Sequence, residues 1–149
     1  NHVKAEVDKA GNVLNGVYLN SPRANSNMSN KIRCFVSQKN KDLMFTVGFD
    51  YLLTGENKLF LIVEIQNEAL KNREKFKKIN FTDEEIQISF SDNFRSTDHN
   101  WTHFAIKEYI LQAKDIHQLS DFILNKLEKD YFISIFKKLE DFLENEKLK

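Results

Sequence analysis

The stretch that decides the fold is Leu43-Met-Phe-Thr-Val-Gly-Phe-Asp-Tyr-Leu-Leu53, Thr54-Gly-Glu-Asn57 and Lys58-Leu-Phe-Leu-Ile-Val-Glu-Ile-Gln66. Its outer segments are rich in β-branched and aromatic residues, which favour strands, and the four residues between them are typical of a tight turn. The pattern predicts an antiparallel hairpin. Because the apolar run from Leu59 to Val63 is unbroken, we expect the second strand to be covered on both faces and to lie inside its sheet.

Further strand-like patterns surround this hairpin. Ile32 to Gln38 is apolar, and Ile86 to Phe90 alternates between apolar and polar residues. Trp101 to Leu111 fits either a strand face or a helical face, and we favour a strand because the preceding strand needs a partner. At the start of the chain, Val3 to Val7 and Val13 to Leu19 flank a run of turn residues, which predicts a short hairpin.

Two regions show helical periodicity. Apolar residues from Asn67 to Asn80 recur on one face, which predicts an amphipathic helix. From Asp115, a candidate N-cap, apolar residues recur at helical spacing almost to the end of the chain. The segment Asp130 to Ile133 interrupts this pattern, so we expect two packed helices, although one long helix also fits.

Together these patterns predict an α+β fold for a single domain, residues 1–149. The expected architecture is a mostly antiparallel sheet of about six or seven strands, with one inserted helix and a helical part at about 115–147 packed on one face. The small polar residues at about 21–30 predict a flexible loop. The chain begins without Met, which fits either a processed form or a fragment of a longer protein.

Composition limits the classes of function. Lys plus Arg and Asp plus Glu are both 22, so no net charge draws the protein to nucleic acid or to an anionic membrane, and such contact needs a local patch. The single Cys34 lies in an apolar run, which predicts a buried thiol and favours a reducing, cytoplasmic location. No apolar run approaches the roughly 18 residues of a membrane helix, so we expect a soluble protein without membrane contact.

Asp50 and Glu64 are the first candidate catalytic pair. Carboxylates on neighbouring strands can hold a hard divalent cation such as Mg²⁺. The order of an Asp, a hairpin, the strand end Glu64-Ile-Gln66 and a helix is similar to the core of PD-(D/E)xK nucleases. The resemblance implies a Mg-dependent hydrolase with Asp50 and Glu64 as metal ligands. Gln66 stands where that family has lysine, so Gln66, Lys58 or Lys71 would orient water or phosphate.

A second candidate metal site lies in the segment before Trp101. It comprises Asp92, Asp98, His99 and His103, which are residue types that ligate zinc. The four-residue spacing of the two histidines suits a metal only on a helix, whereas this segment is predicted to be a loop that enters a strand.

Two surfaces are candidates for binding a macromolecule. The predicted inserted helix is basic and could contact phosphates, with exposed aromatic residues such as Trp101 stacking on bases. Its basic residues are Lys71, Arg73, Lys75, Lys77 and Lys78. The C-terminal apolar stripe, which includes Phe136 and Leu143, fits either a subunit contact or the core of the domain.

The leading hypothesis is a non-catalytic binding or accessory domain. It would engage a protein or a nucleic acid through the basic helix or the C-terminal apolar face, within a homo-oligomer or a larger complex, and would need no cofactor. The alternative is the Mg-dependent nuclease-like domain.

Overall fold

The computed structural model describes residues 2–14, 23–24, 31–50, 57–91, 94 and 101–148. A two-residue strand, β1 (Arg23–Ala24), lies at one edge of the sheet. Four full-length strands follow in sequence order, each antiparallel to the one before: β2 (Lys31–Val36), β3 (Leu43–Asp50), β4 (Lys58–Gln66) and β5 (Trp101–Ile110). The α+β class and the antiparallel sheet are confirmed, whereas the prediction of six or seven strands is wrong.

The described helices lie mostly at the two ends of the chain. α1 (His2–Leu14) precedes the sheet, and α2 (Asp83–Ile88) lies between β4 and β5 together with two 3-10 helices, Asn67–Asn72 and Lys75–Lys78. α3 (Ala113–His117), α4 (Leu119–Lys129) and α5 (Phe132–Lys147) follow β5. In the part of the chain that the structure describes, no helix is long and apolar enough to cross a membrane.

The predicted N-terminal hairpin is wrong, because residues 2–14 form α1. Val7 and Ala10 share a helical face and are buried, and α1 packs on α4 and β2. Gly11, taken from the sequence as a turn residue, lies within the helix, and a Cβ there would overlap the buried ring of Phe35 in β2. Glycine therefore allows α1 to approach the sheet closely. Most of the predicted second strand, Val13 to Leu19, lies outside the described residues.

The connection between β4 and β5 differs from both predictions made for it. The segment Asn67 to Asn80 forms two 3-10 helices instead of one α-helix, and each ends in a bond between residues three apart, such as Ile79 N–H to the Phe76 carbonyl. The predicted strand from Ile86 to Phe90 is largely α2. The Thr82 hydroxyl accepts the N–H of Glu85, whose carboxylate accepts the N–H of Thr82, and this capping box starts a helix where alternation had suggested a strand.

The remaining predictions of secondary structure in the described part are confirmed with small shifts. Trp101–Ile110 is a strand, β4 lies between β3 and β5, and the C-terminal part is divided near Tyr131, which has a φ of 70°. The helical part begins at Ala113 instead of Asp115, because Gln112 and Asp115 form the capping box, and it contains three helices, α3 to α5, where two were predicted. The predicted loop at 21–30, except for residues 23–24, and the turn from Thr54 to Glu56 lie outside the described residues.

One hydrophobic core joins a face of the sheet to the helices. It contains alternate residues of β3 and β4, namely Leu43, Phe45, Val47, Leu59, Leu61, Val63 and Ile65, with residues of α1, α4 and α5 packed against them. A bulge in β5 between the partners of Val63 and Glu64 lets both Phe104 and Ala105 join this core. On the opposite face Met44, Ile62 and Glu64 are also buried, so the central strands are covered on both sides.

Glu140 ties α5 to the turn after β2, where the Ser37 hydroxyl donates to its carboxylate. Burial raises the pKa of Glu140, against the opposing effects of the Ser37 hydrogen bond and of Lys39. The native state therefore binds this proton more tightly than the unfolded chain does. The stability from this group is present at acidic pH and is lost as pH rises through the raised native pKa.

We therefore expect Glu140→Gln to be as stable as wild type near pH 4.5 and more stable at pH 7. The amide still accepts the Ser37 hydroxyl and carries no charge into the buried site. Urea unfolding at several pH values measures the change, with Glu144→Gln on the same helix as the control. A Glu140→Gln variant that follows the wild-type pH profile would contradict this account.

Candidate functional site

The strand register separates the two carboxylates of the predicted magnesium site. Asp50 lies opposite Lys58, whereas Glu64 lies opposite Met44, six residues further along β4. At about 3.3 Å per residue, the two backbone positions are roughly 20 Å apart. The hairpin therefore does not bring Asp50 and Glu64 together, and the ligand pair inferred from nuclease similarity is not formed by this register.

Glu64 instead belongs to a buried polar row across the sheet. Its side chain is 0% exposed, and it accepts hydrogen bonds from Thr46 Oγ1 at 3.0 Å and from His103 Nε2 at 2.7 Å. Thr46 Oγ1 also lies 3.3 Å from Cys34 Sγ, and the predicted burial of this thiol is confirmed. The neighbouring Gln66 is buried as well. This row links four strands through Cys34, Thr46, Glu64 and His103 and offers no open carboxylate to a metal.

The second predicted metal site is represented only by His103, because Asp92, Asp98 and His99 lie outside the described residues. His103 contacts Glu64, so one residue from each of the two predicted metal sites takes part in the same buried contact. Among the residues that the structure describes, no group of three or more His, Cys, Asp or Glu side chains is placed to hold a metal ion.

The C-terminal apolar stripe is core and not a surface. Phe136 and Leu143 are both buried, and they join Phe132, Ile135 and Leu139 in the single hydrophobic core. The ring of Phe132 packs edge-on against Phe45 of β3. Of the two interpretations of this stripe, core packing is therefore the one seen in the structure.

Most basic residues between β4 and α2 are already paired with acids. Lys71 contacts Glu68 at 2.7 Å, and Lys77 contacts Glu74 at 2.9 Å. Lys75 contacts Glu146 of α5 at 2.9 Å. Lys78 is exposed at the end of the second 3-10 helix, and the side chain of Trp101 lies outside those described. The segment 67–82 thus contains five basic and two acidic residues, and Lys71, Lys75 and Lys77 are each paired with a carboxylate.

Acids also accompany the lysines of an open cleft of about 630 Å³ beside this segment. Five lysines contribute to its lining: Lys39, Lys41, Lys71, Lys75 and Lys147. Beyond the pairs already described, Lys39 and Lys147 are near Asp141 and Glu144 at 3.8 and 3.1 Å. Because acids accompany these lysines, the cleft does not form a strongly positive patch for a polyanion.

A different cleft, on the other side of the basic segment, combines apolar and cationic groups. It has a volume of about 650 Å³, and we call it the Arg73 cleft. Its lining comprises Arg73, Glu74, Lys77, Ile86, Ser89, Phe90 and Phe94. Ile86 is 50% exposed here, and the guanidinium of Arg73 lies 5.5 Å from the centre of the Phe94 ring. An exposed isoleucine beside a stacked arginine gives the cleft both an apolar wall and a positive group.

Glu85 fixes the helix that carries Ile86. Its buried carboxylate caps α2 through the Thr82 N–H and also accepts hydrogen bonds from Ser134 and Lys138 of α5. Burial alone would raise the pKa of Glu85, but the Lys138, Ser134 and Thr82 hydrogen bonds hold it below its usual value. The carboxylate therefore stays charged near neutral pH, and α2 is anchored to α5 while Ile86 remains exposed.

The aromatic side of the Arg73 cleft is equally well anchored. Phe90, with a φ of 54°, and Phe94 pack edge-on against the buried ring of Phe104, with centroids 4.8 and 4.9 Å apart. Phe104 also contacts Phe76 and Phe81. Such edge-to-face pairs add about 0.5–1.5 kcal/mol each beyond their burial. The cleft is thus largely preformed, which reduces the ordering cost of binding.

The sequence pattern indicated Arg73 as a binding residue but not Ile86, Phe90 or Phe94. It placed Ile86 in a half-buried strand, where its side chain would face a core. The signal that could have revealed an exposed Ile86 is the capping box Thr82-Asp-Glu-Glu85, which predicts a helix beginning at residue 83. Comparisons with protein-family models, curated proteins and solved structures found no match for this chain.

Proposed function

We propose that this chain is a non-catalytic binding domain that engages a macromolecular partner through the Arg73 cleft. The observation that supports this proposal is the half-exposed Ile86 in a concave site beside Phe90 and the stacked Arg73. Aromatic residues and arginine are enriched where proteins bind partners, and anchors in pockets supply most of the binding energy.

Arg73 and Lys77 are the described cations that line the cleft, and they differ in how firmly their positions are held. Exposed lysine–carboxylate pairs contribute about 0–1 kcal/mol each and are screened by salt. Arg73 lies over the Phe94 ring, and this stacking limits the movement of its planar guanidinium. The planar guanidinium is therefore held more firmly than a flexible lysine ammonium, and Arg73 gives the cleft a fixed positive group.

The proposal predicts that the cleft binds a small probe that carries a ring and an anion. The probe is 3-phenylpropionate, followed by ¹H–¹⁵N NMR titration of the wild-type protein. Its eleven heavy atoms, at about 0.3–0.4 kcal/mol each, correspond to a Kd of roughly 1 mM. We expect the amide signals of residues 73–77 and 86–91 to shift together.

Ile86→Asp should abolish these shifts, because it removes the apolar wall and adds a charge that repels the probe. The matched control is Ile110→Asp, since Ile110 is 57% exposed but lies outside the cleft. Dispersed spectra of both variants establish that they fold. The proposal fails if 3-phenylpropionate leaves these signals unchanged at 20 mM, or if both variants lose binding equally.

A further inference from the structure

The outer edge of β5 lies beside the Arg73 cleft and can hold a partner through its backbone. β5 is at one end of the strand order and pairs with β4. We infer that the partner is a protein segment that adds to this edge as an antiparallel strand at residues 106–110 and then enters the Arg73 cleft. This inference names the class of partner for the binding function proposed above and rests on it.

Hydrogen bonds at the end of β5 establish which of its backbone groups point outward. The Leu111 N–H donates to the carbonyl of Asn57, the residue just before β4, so Leu111 faces β4. In an antiparallel ladder, alternate residues of a strand face the same neighbour. The N–H and C=O groups of Glu108 and Ile110 therefore point away from β4, toward the outer edge of the sheet.

The first half of this edge is covered by residues 89–91, and the cover ends where Ser89 forms a bridge with Ala105. Further along β5, no residue that the structure describes forms a backbone hydrogen bond with the outward groups of Glu108 or Ile110. Outward N–H and C=O groups on an edge strand are a template for a strand from another chain. Such strand addition is a common way in which proteins recognise extended segments.

The charged side chains of residues 106–110 keep their partners within the domain. Lys107 contacts Asp130 at 3.2 Å, and Glu108 contacts Lys58 at 3.0 Å. An added strand is held by the backbone of β5, so it requires neither of these charges. The outward row alternates N–H donors and C=O acceptors, which a second peptide backbone matches, whereas phosphates offer only acceptors. The edge therefore favours a protein segment over a nucleic acid.

Two isoleucines indicate which side chains the added strand carries. Ile110 is 57% exposed, and the half-buried Ile106 lies opposite Ile62 on the same face of the sheet, away from the helices. Residues of the added strand that lie opposite these two share that face. Cross-strand pairs of apolar residues stabilise a sheet, so we expect Val or Ile at these two positions of the partner.

The direction of the added strand leads to the Arg73 cleft. An antiparallel strand that begins opposite Ile110 ends opposite Ile106, next to the bridge between Ser89 and Ala105. Ser89 also lines the Arg73 cleft together with Ile86. A residue that follows the strand can therefore place its side chain against Ile86. Because the open part of the edge adjoins the cleft, we assign both surfaces to one partner.

The test uses the wild-type protein and three peptides. The first is acetyl-Lys-Val-Thr-Thr-Thr-Val-Gly-Phe-amide, in which the valines lie opposite Ile110 and Ile106, the middle threonine lies opposite Glu108, and the phenylalanine reaches the cleft. The second peptide has an N-methyl group on the middle threonine, whose N–H faces β5. The third has it on the preceding threonine, whose N–H faces away from β5, and is the matched control.

We expect the first and third peptides to shift the ¹H–¹⁵N NMR signals of residues 106–110 together with those of residues 73–77 and 86–91. At saturation, the amides of Glu108 and Ile110 should exchange with solvent at least about tenfold more slowly, because they donate to peptide carbonyls. The second peptide should bind roughly tenfold or more weakly, since its N-methyl group removes a hydrogen bond to the Glu108 carbonyl.

Two protein variants test the same contact from the side of β5. Glu108→Pro removes the outward N–H, and an edge strand tolerates proline where this N–H faces solvent. Glu108→Ala removes the same carboxylate but keeps the N–H, so only Glu108→Ala should bind the first peptide as wild type does. Dispersed spectra establish that both variants fold. The N-methyl peptides test the contact in the wild-type protein whether or not Glu108→Pro folds.

Each contrary result has a separate meaning. Equal binding of the second and third peptides, or of Glu108→Pro and Glu108→Ala, overturns the inference. If 3-phenylpropionate binds the cleft but no peptide shifts residues 106–110, the inference is overturned while the binding function stands. If neither probe shifts residues 73–77 and 86–91, the binding function itself fails.

Pairing of this edge with a second copy of the chain is a further contrary outcome. The amides of Glu108 and Ile110 would then be protected without peptide at high protein concentration, and Glu108→Pro would convert a dimer to a monomer in sedimentation. That result would overturn the inference of a separate partner.

Discussion

Leu143→Asp is expected to unfold the domain. Leu143 is 3% exposed in the core beneath α5. Truncating a buried leucine costs about 2–5 kcal/mol, and placing a charged group against the apolar residues of the core adds to this cost. The sum is comparable with the 5–15 kcal/mol that stabilises a typical domain. Circular dichroism and thermal unfolding should therefore show a chain without a cooperative transition.

Leu148→Asp is the matched control for this change. Leu148 lies five residues further along the chain and is 86% exposed, so the same substitution should leave the unfolding temperature almost unchanged. A Leu143→Asp protein that stays folded but shifts from an oligomer to a monomer in sedimentation would contradict the core assignment. The C-terminal stripe would then be a subunit contact, as the other interpretation of the sequence holds.

His103→Leu is expected to destabilise the protein by about 3 kcal/mol or more, because it removes the imidazole bonded to a fully buried carboxylate. His103 Nε2 lies 2.7 Å from Glu64 Oε1, and the histidine side chain is 20% exposed while that of Glu64 is 0% exposed. The remaining Glu64 would keep the Thr46 hydroxyl as a donor but would lose this partner. Urea unfolding measures the difference.

Two further variants compare the effect on stability of breaking this buried pair with that of breaking a surface pair. Glu108→Ala breaks the Lys58–Glu108 pair between β4 and β5, in which the glutamate is 45% exposed, and should cost less than about 1 kcal/mol. Adding Glu64→Met to His103→Leu should recover stability, because no buried charge is left without its partner. If His103→Leu lowered the free energy of unfolding as little as Glu108→Ala does, the contacts of Glu64 would add little to stability.

Local sequence patterns predicted the correct secondary structure wherever the apolar residues of a segment were also the residues buried in the fold. The run Leu59 to Val63 predicted an interior strand, and β4 lies between β3 and β5 with both faces covered. The interruption at Asp130 to Ile133 predicted a break in the C-terminal helical part, and α4 and α5 are separated near Tyr131, although the short α3 makes three helices instead of the two predicted. In each case many neighbouring residues support the same element, so a window of sequence contains most of the relevant information.

The secondary-structure predictions were wrong where a short segment fitted both the two-residue period of a strand and the 3.6-residue period of a helix. Val3 and Val7 suit both a strand that alternates and a helix with a four-residue repeat, and contact with α4 and β2 selects the helix. Ile86 and Ile88 alternate, but the Thr82–Glu85 capping box starts α2. The strand count was too high for these two reasons, since both segments had been predicted to be strands.

The sequence by itself determined the α+β class, the antiparallel arrangement of the central hairpin and the position of the C-terminal helices, because these follow from local periodicity and short connections. Only the tertiary structure decided which polar and apolar residues are exposed. The strand register separates Asp50 from Glu64 and pairs Glu64 with His103. The packing of α5 buries Leu143, and the anchoring of α2 leaves Ile86 beside Arg73. Contacts between residues distant in the chain depend on how whole elements pack, and no local pattern contains that information.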